Sequence, residues 1–359
     1  MRVLQVCSAR SIGGGERHVI DLSNQLTIRG HEVFLALVAE SPLVSQLEQV
    51  PSDRIATFPL RNALDIPSAV RIARFIKSHD IQLINAHLAR DYPITAAAAR
   101  IAGIPFVITR HVLFPMSRLH RLLLRKASFV IAVSNAVAEN LGREAIFRED
   151  KIVTIRYGLD VDSVQESERV MDVIPRVGAI GNLDPVKGFD VLIRAAAIIN
   201  KDNPSVKFEI VGEDRSRDGN NRKDLEALIA QLGVDGVVRL SGWSDSVHEK
   251  LGSFDVFVSS SRSESFGFVI AEAMLSGVPV IATETAGAKE IISELPLGIL
   301  VPIDSPEAIA TAINELLDDE MKRRQLAKFG RRHIEENFSL ERMVHETEKL
   351  YAQVLSAWQ

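Results

Sequence analysis

The chain has 359 residues, 46% of them hydrophobic and 25% charged, with a formal net charge of −5. These values describe a soluble globular protein of two or three domains, and they come with no low-complexity tract, no repeat of solenoid length and no apolar run long enough for a membrane span. The single cysteine, Cys7, excludes an intramolecular disulfide and points to a cytoplasmic setting.

The first residues, MRVLQVCSAR, run straight into a strand-like segment, so no signal peptide is expected. Short apolar runs follow at 3–7, 33–37, 55–59, 83–86, 106–109, 129–133 and 152–155. Helical patterns separate most of them. Residues 16–30 end at Gly30, a natural helix stop, and 68–79 follow Pro67 with apolar residues at helical spacing. Strand–helix alternation predicts βαβ units and a parallel sheet covered on both faces. Residues 164–176 break the pattern and read as a linker. Alternation resumes with strands near 177–181, 207–212, 237–242, 256–260 and 278–282, and the tail from about 306 reads as helices, the last over 340–358. The expectation is α/β: two tandem Rossmann-like doubly wound domains facing a cleft. The first would span 1–165, completed by the helix at 340–359; a linker at 166–176 precedes a second domain at 177–339. Ligands of such sheets sit at the carboxyl ends of strands.

Three stretches carry chemistry. SIGGGERH (11–18) follows the first strand and opens a helix. Its glycines permit close backbone approach, and the helix N-terminus offers N–H groups to an oxyanion. It lacks the third glycine of a dinucleotide fingerprint, because His18 stands there, and the GK[ST] of a P-loop. GNLDPVKGFD (181–190) places Lys187 beside a helix N-terminus, which suits a diphosphate. SESFGFVIAEAM (263–274) places Glu264 in a loop ahead of a helix and Glu272 inside that helix among apolar residues. A buried carboxylate needs a partner, and ligand hydroxyls would serve.

In that order, these stretches resemble glycosyltransferase family 4, retaining transferases of the GT-B fold whose mark is a Glu-x7-Glu motif, matched by Glu264 and Glu272. IRYGLDVD (155–162), FEIVGE (208–213) and GVPVIATETAGAKEII (277–292) extend the resemblance over essentially the whole chain. It implies that Glu264, His111 and Lys187 are the catalytic set, with Glu264 approaching the donor sugar and His111 facing it. It also implies that Gly14, Gly15, Glu16, Asn182, Gly212, Ser244, Phe266, Gly267, Phe268, Val269 and Glu272 bind the donor, with Glu272 on the ribose and the segment at Trp243 bordering the base. The family usually has an arginine where this chain has Asn182, so the cationic clamp on the diphosphate is expected to be weaker. Arg10, Arg110 and Arg262 are candidates to compensate.

The implied activity is a retaining, metal-independent hexosyl or glycosyl transfer. The donor would be a nucleotide-diphosphate sugar, a UDP-sugar first and GDP-mannose second. The acceptor would be a hydroxyl of a glycan or lipid-linked molecule in bacterial cell-surface polysaccharide, lipopolysaccharide or glycolipid synthesis. No cofactor, metal or nucleic-acid partner is expected. The alternatives are a non-hydrolysing nucleotide-sugar epimerase and a degenerate sugar-nucleotide-binding subunit.

Charge adds one more expectation. Residues 1–165 hold 20 Lys+Arg against 15 Asp+Glu, and the remainder 22 against 32. Between Asp91 and Glu139 there is no acid at all, and Arg118, Arg121, Arg125 and Lys126 fall in this gap. The stretch predicts an acceptor side with peripheral contact to an anionic membrane, which would place the protein at the inner face.

Overall fold

The computed structural model describes residues 1–164, 174–216, 218–244, 246–293 and 296–358, with Arg118 and Leu119 described in their backbone only. It divides into two compact units, Met1–Gly158 with Leu340–Gln359, and Leu159–Ser339.

The first unit runs β1 (Arg2–Cys7), α1 (Gly14–Ile28), β2 (Glu32–Leu37), β3 (Ile55–Thr57), α2 (Ile66–Ser78), β4 (Leu83–Ala86), α3 (Tyr92–Ala102), β5 (Phe106–Arg110), α4 (Arg118–Leu123), β6 (Phe129–Ala132), α5 (Asn135–Glu144) and β7 (Ile152–Thr154). Its seven strands lie in the order β3-β2-β1-β4-β5-β6-β7 and pair in parallel. The strands are near-continuous apolar runs because helices bury both faces. The helix starts follow local chemistry: the Asp65 side chain accepts the Ser68 N–H at the head of α2, and the Ser134 side chain accepts that of Val137 at the head of α5. Gly30 and Gly103 take positive φ just past α1 and α3.

The second unit runs β8 (Arg176–Ile180), α6 (Phe189–Asp202), β9 (Lys207–Val211), α7 (Asn220–Leu232), β10 (Val238–Gly242), α8 (Val247–Gly252), β11 (Val256–Ser259), α9 (Phe268–Leu275), β12 (Val280–Thr283), α10 (Ala286–Ile291), β13 (Ile299–Val301), α11 (Pro306–Asp318) and α12 (Glu320–Asn337). Its six parallel strands lie in the order β10-β9-β8-β11-β12-β13. The final helix, α13 (Leu340–Trp358), belongs to the first unit, where it buries Met343, Val344, Leu350, Tyr351 and Val354.

Both sheets reverse direction at their first strand. In the first, β1 lies between β2 and β4; in the second, β8 lies between β9 and β11. Loops leaving the carboxyl ends at such a switch point diverge and leave room for a ligand.

Several boundaries differ from expectation. The units divide at Gly158 rather than at 165, because the Leu159 N–H donates to Phe338 O (2.8 Å) and Arg331 donates to Val164 O (2.8 Å), tying 159–164 to the second unit. Most of the expected linker, 165–173, lies outside the described residues. β3 stops at Thr57 because Pro59 has no N–H to continue the ladder, and β12 starts after Pro279 for the same reason. β13, a three-residue strand (ILV) between Gly298 and Pro302, was not expected.

Candidate functional site

In the second unit, the loops leaving β8 and β11 flank the switch point, and they carry Lys187 and Glu264. The Lys187 ammonium is ion-paired with Glu264 Oε1, both half-buried. Ser261 Oγ donates to the same carboxylate oxygen at 3.3 Å, and the Glu264 carbonyl accepts the Gly287 N–H at 2.9 Å. The glycine after Lys187 has a reason: Gly188 sits at φ +62, and a Cβ there would overlap the Ser260 carbonyl. Only glycine lets the two loops come this close.

The rest of the expected donor set in this unit sorts into distinct roles. Gly267, at φ +94, opens α9, with Phe268 and Val269 half-buried in its first turn and no side chain capping it. Glu272 is 3% exposed, so it is not a solvated surface carboxylate. Phe266 is a core residue, packed on Phe268 and Phe338 at ring distances of 5.3 and 5.6 Å. Gly212 is needed for packing, since a Cβ would overlap the Gly181 carbonyl. Asn182 is exposed at the mouth of the β8 loop. Ser244 Oγ donates to Ser246 O at 3.2 Å, and beside it Trp243 stands 57% exposed with the Arg215 guanidinium 5.3 Å from its ring.

Among the arginines expected as candidates to compensate for the clamp charge, Arg262 does not aim at a ligand. Its guanidinium is spent on Pro185 O, Asp190 and Asp304. Arg110 is buried in the first unit and donates to Phe114 O.

In the first unit, the start of α1 and the loops after β4 and β5 bring together Gly15, His18, His87 and His111, and Tyr157 joins them. His111 is 7% exposed and both of its ring nitrogens are engaged: Nδ1 with the Tyr157 hydroxyl at 2.5 Å, and Nε2 with His87 Nδ1 at 3.2 Å. His87 Nε2 meets Gln5 Oε1 at 2.9 Å. Asn85 Nδ2 is also 3.2 Å from that nitrogen, but lies closer to Tyr351 (2.8 Å) and Thr109 (2.9 Å). An amide oxygen only accepts, so the chain has one direction. Tyr157 O–H donates to His111 Nδ1, His111 Nε2–H to His87 Nδ1, and His87 Nε2–H to Gln5. That arrangement needs neutral imidazoles, and the surroundings supply the reason. Burial holds His87 and His111 well below the usual range, helped by the neighbouring histidines, and takes His18 down to about 3. Burial likewise holds the Tyr157 phenol well above its usual value.

The glycine loop packs directly on this cluster. A Cβ on Gly15 would lie 3.2 Å from the His111 ring. Gly14 is the first residue of α1, and Glu16 turns back to accept the Gly13 N–H at 3.0 Å, so its carboxylate serves the helix start. His18 Nδ1 is buried without a hydrogen-bond partner among the described residues. Next to the loop, Asp91 accepts the Ser8 N–H at 2.8 Å, and burial pushes its carboxyl up to about 6. Gln5, His18, His87, Asp91 and Tyr157 were not singled out from sequence. Gln5 inside β1 and His87 just after β4 carry the signal of a polar residue in or beside an apolar strand, as in VLQVC; His18 in α1, Asp91 before α3 and Tyr157 after β7 carry none.

The basic set behaves as a surface. Arg121, Arg125 and Lys126 are exposed, and so are Leu122 (70%) and Phe114 (75%), while Leu124 is fully buried. The Arg118 side chain lies outside the described residues. No group of three or more His, Cys, Asp or Glu among the described residues is arranged to hold a metal ion. Nor is any helix among them long and apolar enough to cross a membrane.

Comparison with known proteins covers both units. The family described as "Glycosyltransferase Family 4" matches residues 12–163, and "Glycosyl transferases group 1" matches 171–333. The chain is 35% identical over 167 residues to the lipopolysaccharide core biosynthesis glycosyltransferase LpsE of Rhizobium meliloti, a match covering 46% of each chain. It is 26% identical to the N-acetyl-alpha-D-glucosaminyl L-malate synthase of Bacillus anthracis, over 96% of this chain and 95% of that one. Among solved structures, a glycosyltransferase from Rickettsia africae superposes with a TM-score of 0.88 at 24% identity, covering 98% of each chain. Anabaena Alr3699/HepE in complex with UDP and glucose superposes at 0.86 and 24%, covering 98% of this chain and 99% of that one.

Proposed function

The chain belongs to glycosyltransferase family 4 with the GT-B fold, and from that membership we propose that it is a retaining, metal-independent transferase using a nucleotide-diphosphate sugar. The observation that carries the donor reading is the Lys187–Glu264 pair at the switch point of the second sheet. It sets a cation and a carboxylate side by side, one fit for a phosphate and one for sugar hydroxyls.

In the proposed reaction, the bond from the anomeric carbon to the diphosphate oxygen breaks, and the acceptor oxygen bonds to that carbon on the same face. The diphosphate leaves with the electron pair, and the acceptor proton passes to the departing phosphate. Lys187, the Asn182 amide and the N-termini of α6 and α9 stabilise the charge that develops there. Donors fixed in place before reaction need no reorganisation, which is why this contribution is large. Glu272 holds the ribose, and Trp243 with Ser244 borders the base. We assign no covalent nucleophile. His111, neutral and with both ring nitrogens engaged by Tyr157 and His87, is given no proton-transfer role.

UDP is the preferred base, supported by HepE, whose structures contain UDP and UDP-glucose; GDP-mannose is second. LpsE, a lipopolysaccharide core enzyme, and the phosphatidyl-myo-inositol mannosyltransferase of Mycobacterium leprae (29% identical over 92% of this chain) support an envelope glycan or lipid-linked acceptor. The exposed Arg121, Leu122, Arg125 and Lys126 support contact with an anionic membrane at the inner face.

The test is incubation of the purified chain with UDP-glucose, UDP-N-acetylglucosamine and GDP-mannose, with bacterial envelope lipids as acceptor. Nuclear magnetic resonance would read the anomeric configuration of the product. Transfer with retention supports the proposal; inversion, or a requirement for added divalent cation, contradicts it.

A further inference from the structure

The two loops that carry Lys187 and Glu264 are laced together by a residue that neither reaches the Lys187–Glu264 pair nor belongs to the core. Arg262 donates its backbone N–H to Val186 O at 2.7 Å and Nη1 to Pro185 O at 2.6 Å, so it grips the turn just before Lys187 from two sides. Its guanidinium also forks onto both oxygens of Asp190, at 2.9 and 2.8 Å, in the first turn of α6. Nε reaches Asp304 Oδ1 at 2.7 Å, just past β13. Ser260 Oγ adds a bond to Lys187 O at 3.0 Å. Thus the loops after β8, β11 and β13 meet at one guanidinium, two residues from Glu264. Burial works to raise the Asp190 carboxyl, yet the hydrogen bonds and charge of Arg262 hold it below the usual carboxylate range.

We propose that Arg262 is a positioning residue: it fixes the Lys187 turn against the Glu264 loop and so sets where the ammonium meets the outer phosphate of a nucleoside diphosphate. The inference rests on the donor reading above. Arg262 does not replace the charge absent at Asn182; it aims the charge that Lys187 supplies. Only a planar fork can serve Pro185, Asp190 and Asp304 at once, so lysine is not a substitute.

The test uses the full chain with Arg262→Lys, Arg262→Ala and Asp190→Asn. Calorimetry measures UDP against UMP, and GDP against GMP, because only the diphosphates present an outer phosphate. A brief acetic anhydride pulse followed by mass spectrometry reads acylation of Lys187 against Lys201 and Lys289. Arg262→Lys and Asp190→Asn should weaken the diphosphate about tenfold while leaving the monophosphate unchanged, the size of one misplaced charge-assisted bond. Lys187 acylation should rise several-fold and that of the other two lysines should not. Equal loss for diphosphate and monophosphate, or unchanged Lys187 acylation in both variants, overturns the proposal. If neither UDP nor GDP binds the unaltered chain, the donor reading fails. Lys187 acylation then decides the role of Arg262 alone, a selective rise supporting it and no rise overturning it. Should Arg262→Ala unfold, the two milder variants carry the decision.

Discussion

Lys187 and Glu264 stand 77 residues apart in the chain and meet because the sheet order brings β8 beside β11. Their energetic roles differ. Removing the ammonium by Lys187→Ala should cost about 1.5–3 kcal/mol of diphosphate binding, the range for a hydrogen bond to a charged group. Circular dichroism should show only a small change in melting temperature, because Ser261 still donates to the Glu264 carboxylate and partly exposed ion pairs add little. The buried histidines lead to a second expectation, this time for stability. His18, with a folded value of about 3 against an ordinary 6.5, stays neutral while the unfolded chain takes up a proton, and burial gives His87 and His111 the same direction. The unfolded state therefore binds more protons below pH 6.5, and stability falls as pH falls from there towards 3. Each imidazole kept neutral costs about 1.4 kcal/mol per pH unit in that window. Asp91 has the opposite sign: its folded value near 6 lies above the usual 3.8, so its contribution is present at low pH and fades as pH rises through 6. One carboxyl does not offset three imidazoles. The melting temperature should drop steadily from pH 6.5 to 5, and less steeply in His18→Phe; a flat profile would contradict the neutral cluster.

Among the elements, α4 and the residues after it are unusual in turning a leucine outward. Leu124 is fully buried but Leu122 is largely exposed, on a segment that also exposes Arg121, Arg125 and Lys126. Each basic residue near an anionic surface contributes about 1 kcal/mol. Replacing Arg121, Arg125 and Lys126 with glutamate should therefore abolish co-sedimentation with phosphatidylglycerol vesicles and leave UDP binding intact; persistent co-sedimentation would remove the membrane contact from the proposal. The elements themselves were largely legible in the sequence, because strands buried on both faces are continuous apolar runs and helices repeat every 3.6 residues. LINA (83–86) is β4 to the residue. β13 was missed because its apolar run, ILV between Gly298 and Pro302, is shorter than any run read as a strand. Lys187 and Glu264, which the structure joins in an ion pair, and Glu272, which it buries, stand out in the sequence against an apolar or glycine-rich background. The hydrogen-bond chain from Tyr157 to Gln5 was not. It depends on the sheet register, which sets Gln5 against Asn85, and on strands whose order a single sequence does not reveal. For the same reason Arg262 read only as a spare cation, although its partners Asp190 and Asp304 lie 72 and 42 residues away.

For the whole molecule, the chain's last helix returns to its first unit. α13 contributes Met343, Val344, Leu350, Tyr351 and Val354 to that core, and Glu348 pairs there with Arg29 and His31. At about 2 kcal/mol per buried apolar side chain, these five contribute about 10 kcal/mol, comparable with the whole stability of a domain. A chain ended at Ser339 should lose the melting transition of the first unit and keep that of the second; two intact transitions would show that α13 is dispensable. The molecule is thus two doubly wound units of one family, with the proposed donor chemistry concentrated in the second. The central claim is that the second unit binds a nucleoside diphosphate through Lys187 and Glu272. The direct measurement is calorimetric titration of the full chain with UDP and GDP, repeated on Lys187→Ala, Glu272→Ala and Asn182→Arg. The account predicts binding of one diphosphate, weakened tenfold or more (about 1.4 kcal/mol per factor of ten) in the first two variants and tightened in the third. Binding of neither nucleotide, or equal affinity in all four proteins, would contradict it.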